Sequence, residues 1–320
     1  MAVLDVQDLS IRYRIGRGEV KAAEGVSFTL EKGEAMGLAG ESGCGKTTVA
    51  LSLLKILPSN GKIVGGKILV NGTDIVGLSE AEVRKNVRWK VISMVFQGAM
   101  NAMNPLYKIG DQIVEAIKLH ESNVLRSEAK ERTAKLLEMV GIDPGRADNY
   151  PHEFSGGMKQ RALIAMALAN NPDLVIADEP GTALDVIVQA QVLRLMKELK
   201  ERLNLSVIMI SHDLSLIAEV CQKLAIMYAG YLVEYGDIVS IFKEPRHPYT
   251  VDLIESFPSI KAEKQEMVSI PGFPPDLLSP PSGCRFHPRC KYAMDVCRKE
   301  VPKLLEVSKN HFVACHLAKR

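Results

Sequence analysis

The segment GESGCGKTT, residues 40–48, restricts the possible folds of this chain more than any other stretch. It matches G-x-x-x-x-G-K-[ST], follows the apolar run EAMGLAG and passes directly into the helix-compatible VALSLLKIL. A strand, a glycine turn and a helix in that order let successive backbone N–H groups curl around an anion, and the helix N-terminus adds positive potential. Gly40, Gly43 and Gly45 permit the curl, with Ser42 and Cys44 set among them in the same nucleotide-binding loop. Lys46 is placed to reach the outer phosphates of a nucleotide, Thr47 offers a hydroxyl to Mg²⁺, and Thr48 assists phosphate binding. A merely flexible glycine turn would not need those flanks.

The remaining chain reads as a large α/β protein. LDVQDLSIRY, GVSFTL, KILVNG and VISMVF have the alternating or continuous apolar character of strands. From about residue 99 to 172 the pattern turns helical, with EAKERTAKLLEMVG an amphipathic segment ending at a glycine. DLVIAD, VIVQAQVLRLMKELKERLN, SVIMIS, LSLIAEVC and KLAIMYAG then alternate strand with helix, which predicts a parallel sheet covered by helices. At Pro258 the character changes to a proline-rich wrap, including PGFPPDLLSPPSG, followed by a cysteine-bearing tail. Residues 1–257 and 258–320 are therefore the expected divisions.

Composition narrows the function classes. Charged residues are 24% and apolar residues 47%, which excludes extended disorder, and a net charge of +2 offers no footprint for nucleic acid. Neither a basic, apolar leader nor an apolar run of roughly 18 residues is present, so a cytosolic chain is expected, reaching any membrane through a partner.

Two further stretches complete a nucleotide site. LVIADE, residues 174–179, is a buried strand ending in Asp178, suited to holding Mg²⁺, and Glu179, suited to orienting or deprotonating an attacking water. FSGGMKQR, residues 154–161, opens a helix with Ser155 at the N-cap position and two glycines, Gly156 and Gly157, that allow close backbone approach. That makes a second anion site far from the first in sequence.

With these motifs the chain resembles the ATP-binding subunits of ABC transporters, whose signature usually reads LSGGQ. Phe154 stands here for Leu and Met158 for Gln. The resemblance implies a P-loop nucleotide-binding domain with a mixed-sheet core, an antiparallel β subdomain and an α-helical subdomain at about 99–172. It implies that Gln97 senses Mg²⁺ together with Thr47 and Asp178, and that His212 contacts the γ-phosphate. Tyr13 stacks on adenine, and Asp185 in ALD belongs to a loop that crosses to a partner. Catalysis falls to Glu179, His212, Gln97 and Lys46. Because the chain has one phosphate loop and one signature, ATP is expected to be sandwiched in a dimer. Lys46, Thr47, Asp178 and Glu179 act in cis, and Ser155, Gly156 and Gly157 act in trans.

Within that family, FKEPRHPYTVDLIESFP, residues 242–258, and the tail resemble the dipeptide/oligopeptide importers. So does GAMNAMNP, where Gly98 and Ala99 replace the usual Asp-Pro, while GTALD replaces the usual TTALD. The resemblance implies a second, paralogous ATPase subunit, two transmembrane permeases and an extracytoplasmic solute-binding protein, at the cytoplasmic face of the membrane. Peptide is the expected solute, with oligosaccharide or nickel as alternatives. A soluble, non-transport ABC switch is the other class, disfavoured because neither a tandem cassette nor a coiled-coil insertion is present.

Four of the six cysteines, Cys284, Cys290, Cys297 and Cys315, form C-x₅-C-x₆-C-x₁₇-C. The short C-x₂₋₄-C pairs of zinc sites are missing, whereas four thiolates are the complement of a [4Fe–4S] cluster. The resemblance implies such a cluster, expected to staple the extension; buried thiols or disulfides are the bland alternative. His287 and His316 lie beside the cysteines, and Cys44 and Cys221 stand apart.

Overall fold

A computed structural model describes residues 2–98, 102–256 and 270–319. These fall into two compact units, one of Leu4–Leu30, Ala35–Val76 and Ile210–Arg320, the other of Met1–Val3, Glu31–Glu34 and Gly77–Met209. The sequence positions where the helical region and the C-terminal extension were expected to begin, residues 99 and 258, lie outside the described residues.

In the first unit, strands Gly18–Glu31, Ala2–Ile15, Gly61–Val70 and Thr73–Asp74 lie side by side in that order. Ala2–Ile15 and Gly61–Val70 run antiparallel, with Leu4 opposite Val70 and Val6 opposite Ile68. A bulge between Gln7 and Ser10 interrupts their register. Opposite it, a Cβ on Gly66 would fall 2.5 Å from the carbonyl oxygens of Gln7 and Asp8, so only glycine closes that approach. The two N-terminal strands are each 14 residues long, longer than the short apolar runs suggested.

The same unit carries a second sheet segment. Ala35–Ala39, buried throughout, pairs parallel with Lys223–Tyr228, which pairs antiparallel with Tyr231–Asp237. The connection is a two-residue turn, Ala229 at φ 46° and Gly230 at φ 86°, the backbone that matches hairpin twist. Tyr231–Asp237 then pairs with His311–Val313, and that strand with Leu305–Ser308, both antiparallel. Strand–helix alternation alone predicted a parallel sheet; this one is mixed. Part of the C-terminal extension is thus built into the sheet rather than wrapped around it.

In the second unit, Ile92–Val95 and Leu174–Asp178 pair in parallel, Ile92 opposite Leu174 and Val95 opposite Ala177. Every residue of Leu174–Asp178 is buried. Each large aliphatic side chain taken out of water there contributes about 2 kcal/mol, so a polar residue at the strand's end is held on a stiff support. Helices Ile109–His120, Arg126–Met139 and Gly156–Ala167 pack on one another, and Val186–Leu203 packs against Gly156–Ala167. Among the described residues no helix is long and apolar enough to cross a membrane.

Candidate functional site

The phosphate loop has the backbone its glycines imply. Gly40, Gly43 and Gly45 sit at φ 141°, 77° and 108°. A Cβ on Gly40 would lie 2.1 Å from the Met227 carbonyl oxygen, and one on Gly45 would lie 2.3 Å from that of Ala22. The loop is therefore pressed against its own sheet on two sides. Helix Lys46–Leu53 starts at Gly45 with no side-chain cap, so its first N–H groups are not satisfied by a capping side chain.

Lys46 is buried, and its Nζ donates to the carbonyl oxygens of Gly40 at 2.7 Å and Glu41 at 3.0 Å. Cys44 is buried beside it, and burial pushes the thiol up despite the nearby ammonium. Ser42 and Thr47 are exposed on the loop. The Tyr13 hydroxyl donates to Thr48 Oγ1 at 3.3 Å, placing the aromatic ring beside the start of the loop's helix. Gly61, opposite Tyr13 on the neighbouring strand, leaves room for that ring: a Cβ there would strike it at 2.6 Å. His212 is exposed and belongs to this same unit, just after strand Ser206–Ile210.

The second unit gathers the remaining polar residues. Asp178 is buried at the end of its strand, and Glu179 follows with φ 47°, a conformation that a glutamate adopts only when its surroundings impose it. Gln97 Nε2 donates to Glu179 Oε2 at 2.7 Å, and Thr182 Oγ1 donates to the same oxygen at 2.9 Å. The Glu179 carboxylate is thus aimed by side chains from two segments.

Ser155 caps helix Gly156–Ala167, its Oγ accepting from the Met158 N–H at 3.3 Å. Asp185 caps Val186–Leu203, its Oδ1 accepting from Val188 N–H at 2.9 Å. The two helix starts are locked together: a Cβ on Gly157 would lie 2.4 Å from Val188 Cγ1. Phe154, at the position usually held by leucine, is buried in the core. The structure therefore joins Gln97 to Glu179, and the FSGG turn to the ALD turn.

The cysteines call for a correction. All four in the extension are free, with Cys297 buried and the others half-buried. Burial pushes the Cys284 thiol up to about 12, and the neighbouring Cys315, Cys297 and Cys290 add to the rise. Cys290 and Cys315 are raised for the same reason. The four thiols are neighbours, yet among the described residues no group of three or more His, Cys, Asp and Glu side chains is arranged to hold a metal ion. The expected metal staple is not supported.

What fastens the extension is a pair of arginines that sequence reasoning passed over. Arg289, with its side chain 4% exposed, pairs with Glu41 of the phosphate loop through two bonds, Nη1 to Oε2 at 2.6 Å and Nη2 to Oε1 at 3.0 Å. Arg285, equally buried, pairs with Glu24 at 2.5 Å, donates to the Ala229 and Lys21 carbonyl oxygens and lies over the Tyr231 ring. Phe286 between them packs into a cluster of Tyr228, Tyr249 and His247. The clue was present in GCRFHPRC, where both arginines stand among cysteines that drew all the attention.

Comparison with known proteins follows this geometry. Residues 23–182 match the family model described as ABC transporter, and residues 233–297 match that described as Oligopeptide/dipeptide transporter, C-terminal region. The chain is 47% identical to the oligopeptide transport ATP-binding protein OppD of Bacillus subtilis, covering 97% of this chain and 87% of that one. It is 43% identical to the dipeptide transport ATP-binding protein DppD of Caldanaerobacter subterraneus, covering 98% and 97%. Among solved structures it is similar to a dimeric ATP-binding cassette in a post-hydrolysis state bound to ADP and Pi. The TM-score is 0.65 at 25% identity, over 73% of this chain and 98% of that one. A cassette from Clostridium perfringens, part of the cbiONQ ABC transporter complex, matches with TM-score 0.65 at 25% identity, over 76% and 91%.

Proposed function

This chain belongs to the ABC transporter family and carries its oligopeptide/dipeptide C-terminal region, and on that premise we propose that it hydrolyses ATP to drive import of a di- or oligopeptide. The observation that carries the reading is Glu179, held in a left-handed conformation at the end of a wholly buried strand, with Gln97 and Thr182 directing one carboxylate oxygen. Strain of that kind persists where a side chain has to point one way.

Lys46 and the loop N–H groups would bind the phosphates, Thr47, Asp178 and Gln97 would hold Mg²⁺, and Tyr13 would stack on the base. Bound there, the ion would supply neutralisation of charge on the transferring phosphoryl oxygens. Glu179 accepts the proton of the attacking water, with His212 at the γ-phosphate. Ser155, Gly156, Gly157 and Asp185 serve the composite site of a second ATPase subunit, so ATP closes the dimer and its hydrolysis reopens it. Two permeases and an extracytoplasmic binding protein complete the importer and place this chain at the cytoplasmic face of the membrane. The cassette occupies residues 1–257 and the extension residues 258–320.

Replacing Glu179 with Gln is expected to leave MgATP binding intact while steady-state hydrolysis falls by roughly 10²–10⁴-fold, the usual worth of a general base. Phosphate release measured on both proteins decides the matter: comparable turnover would remove Glu179 from the chemistry.

For Cys284, Cys290, Cys297 and Cys315 we propose an iron–sulfur cluster as occupant, distinct from the fastening of the extension. Four free, mutually neighbouring thiols match the donor chemistry of such a cluster. Burial raises the thiols of Cys284, Cys290 and Cys315, so loading must displace protons there. Anaerobically purified protein is expected to contain about four irons and four acid-labile sulfides per chain. Metal-free protein from the same preparation would dismiss the cluster.

A further inference from the structure

The phosphate loop contains a carboxylate in the place least suited to one. Glu41 follows Gly40 directly in a loop that has to receive a polyanion, and its backbone carbonyl is one of the groups that hold the Lys46 ammonium. An uncompensated negative charge there would oppose phosphate binding, the more so because the surrounding protein screens it poorly.

The compensation comes from about 250 residues away. Arg289 meets Glu41 with the planar two-pronged geometry that only arginine offers, and it is itself fixed on every side. Its Nε donates to the Pro271 carbonyl at 2.8 Å, Nη1 to the Tyr228 hydroxyl at 3.3 Å and Nη2 to the Ile270 carbonyl at 3.4 Å. The guanidinium also lies over the Tyr228 ring, 5.7 Å from its centroid. From the other side, the Glu41 N–H donates to the hydroxyl of the fully buried Tyr249 at 2.9 Å. Both the charge and the backbone of Glu41 are therefore held by residues C-terminal to the strands of the sheet core.

A parallel hold acts at Cys44. Its carbonyl accepts from the Gly230 N–H at 2.9 Å, and the Ala229–Gly230 turn is tied down by Arg285 through the Ala229 carbonyl. Two arginines four residues apart, in one short segment of the extension, thus brace the loop at its second and fifth residues.

We propose that Arg289 is a positioning residue for nucleotide binding: it neutralises Glu41 and holds the phosphate loop in the form that accepts phosphate. This rests on the reading of residues 40–48 as the nucleotide site. Arg289 stands outside residues 40–48 and acts through Glu41. The extension is thereby assigned a share in ATP binding.

The test is MgADP binding to the purified full-length chain by calorimetry, because ADP requires the loop of one chain only. Arg289→Met is expected to weaken binding about tenfold. The double variant Glu41→Gln/Arg289→Met is expected to return to within about threefold of the unaltered protein, since both charges are then gone. A purely structural role for the arginine would not be rescued that way. A double variant as weak as Arg289→Met overturns the proposal, as does a folded Arg289→Met that binds normally. Should Arg289→Met not fold, Arg289→Lys keeps the charge without the fork and is expected to bind within about threefold of the unaltered protein; a tenfold loss there overturns charge compensation as the role of Arg289. If the unaltered chain fails to bind MgADP, the nucleotide reading itself falls; if it binds and the variants behave alike, only this inference does.

Discussion

At the scale of single residues, one glycine carries two demands that sequence alone cannot separate. Gly157 is implied to approach a partner's nucleotide, but the structure also shows it pressed against the adjoining helix, with no room for a Cβ beside Val188. Adding that methyl forces a backbone shift that costs about 1–3 kcal/mol. Gly157→Ala is therefore expected to lower the unfolding midpoint, and Gly157→Ala/Val188→Ala to recover most of it because the obstructing branch has gone. Hydrolysis separates the two demands. If the double variant is stable but still inactive, the glycine also matters for the nucleotide; if activity returns with stability, Gly157 is a packing residue alone. The residue scale is also where the sequence was most legible. The turn glycines Gly40, Gly43 and Gly45 and the helix cap Ser155 could be read from their motifs because each motif encodes local backbone geometry. Arg285 and Arg289 could not be read, because their partners Glu24 and Glu41 lie across the fold and no local spacing announces such a pairing.

At the scale of elements, the least legible part was the hairpin formed by Leu305–Ser308 and His311–Val313. Each strand is short, four and three residues, too few for the Leu-Glu-Val-Ser alternation to mark a strand by itself, and the pairing edge of Tyr231–Asp237 does the ordering. The strand Tyr231–Asp237 itself was missed at its turn, although Ala-Gly between apolar runs is a usable signal. What locks the hairpin is a hydrogen bond between a buried carboxylate and a buried imidazole. Glu234 is fully buried, accepts the Arg246 and His247 N–H groups at 2.8 and 2.9 Å, and lies 2.7 Å from His311 Nε2. Deleting one partner of such a pair strands the other in a poorly polarisable interior. His311→Ala is accordingly expected to cost about 3 kcal/mol, read as a lowered midpoint in thermal or urea unfolding. An unchanged midpoint would mean that the two backbone donors satisfy Glu234 unaided.

At the scale of the whole molecule, the order of phosphate loop, signature and acidic strand end pointed to the ABC family, whose model residues 23–182 match. The hold on the extension was not legible, since cysteine spacing suggested a staple whereas buried Arg285 and Arg289 tie it to Glu24 and Glu41. A third feature concerns the machine beyond this chain. The helical unit has a groove of about 960 Å³ lined by Trp89, Tyr107, Leu119 and His120 with Asp111, Glu115, Lys118 and Arg126 at its sides. Leu119 is 73% exposed and Tyr107 59%, apolar surface that an isolated chain gains nothing by showing, and Trp89 stacks on His120 at 6.1 Å. If the chain works in the importer proposed above, an apolar groove ringed by mixed charge suits a short amphipathic helix from a permease. Leu119→Lys places an ammonium where that helix would bury its apolar face. Co-purification with the permeases is expected to fall at least about tenfold, while MgADP binding by the isolated chain stays as it was, since Leu119 lies outside every nucleotide motif. Loss of nucleotide binding as well would show that the substitution disturbs the fold. Assembly at full yield, with transport intact, would move the docking surface elsewhere on the chain.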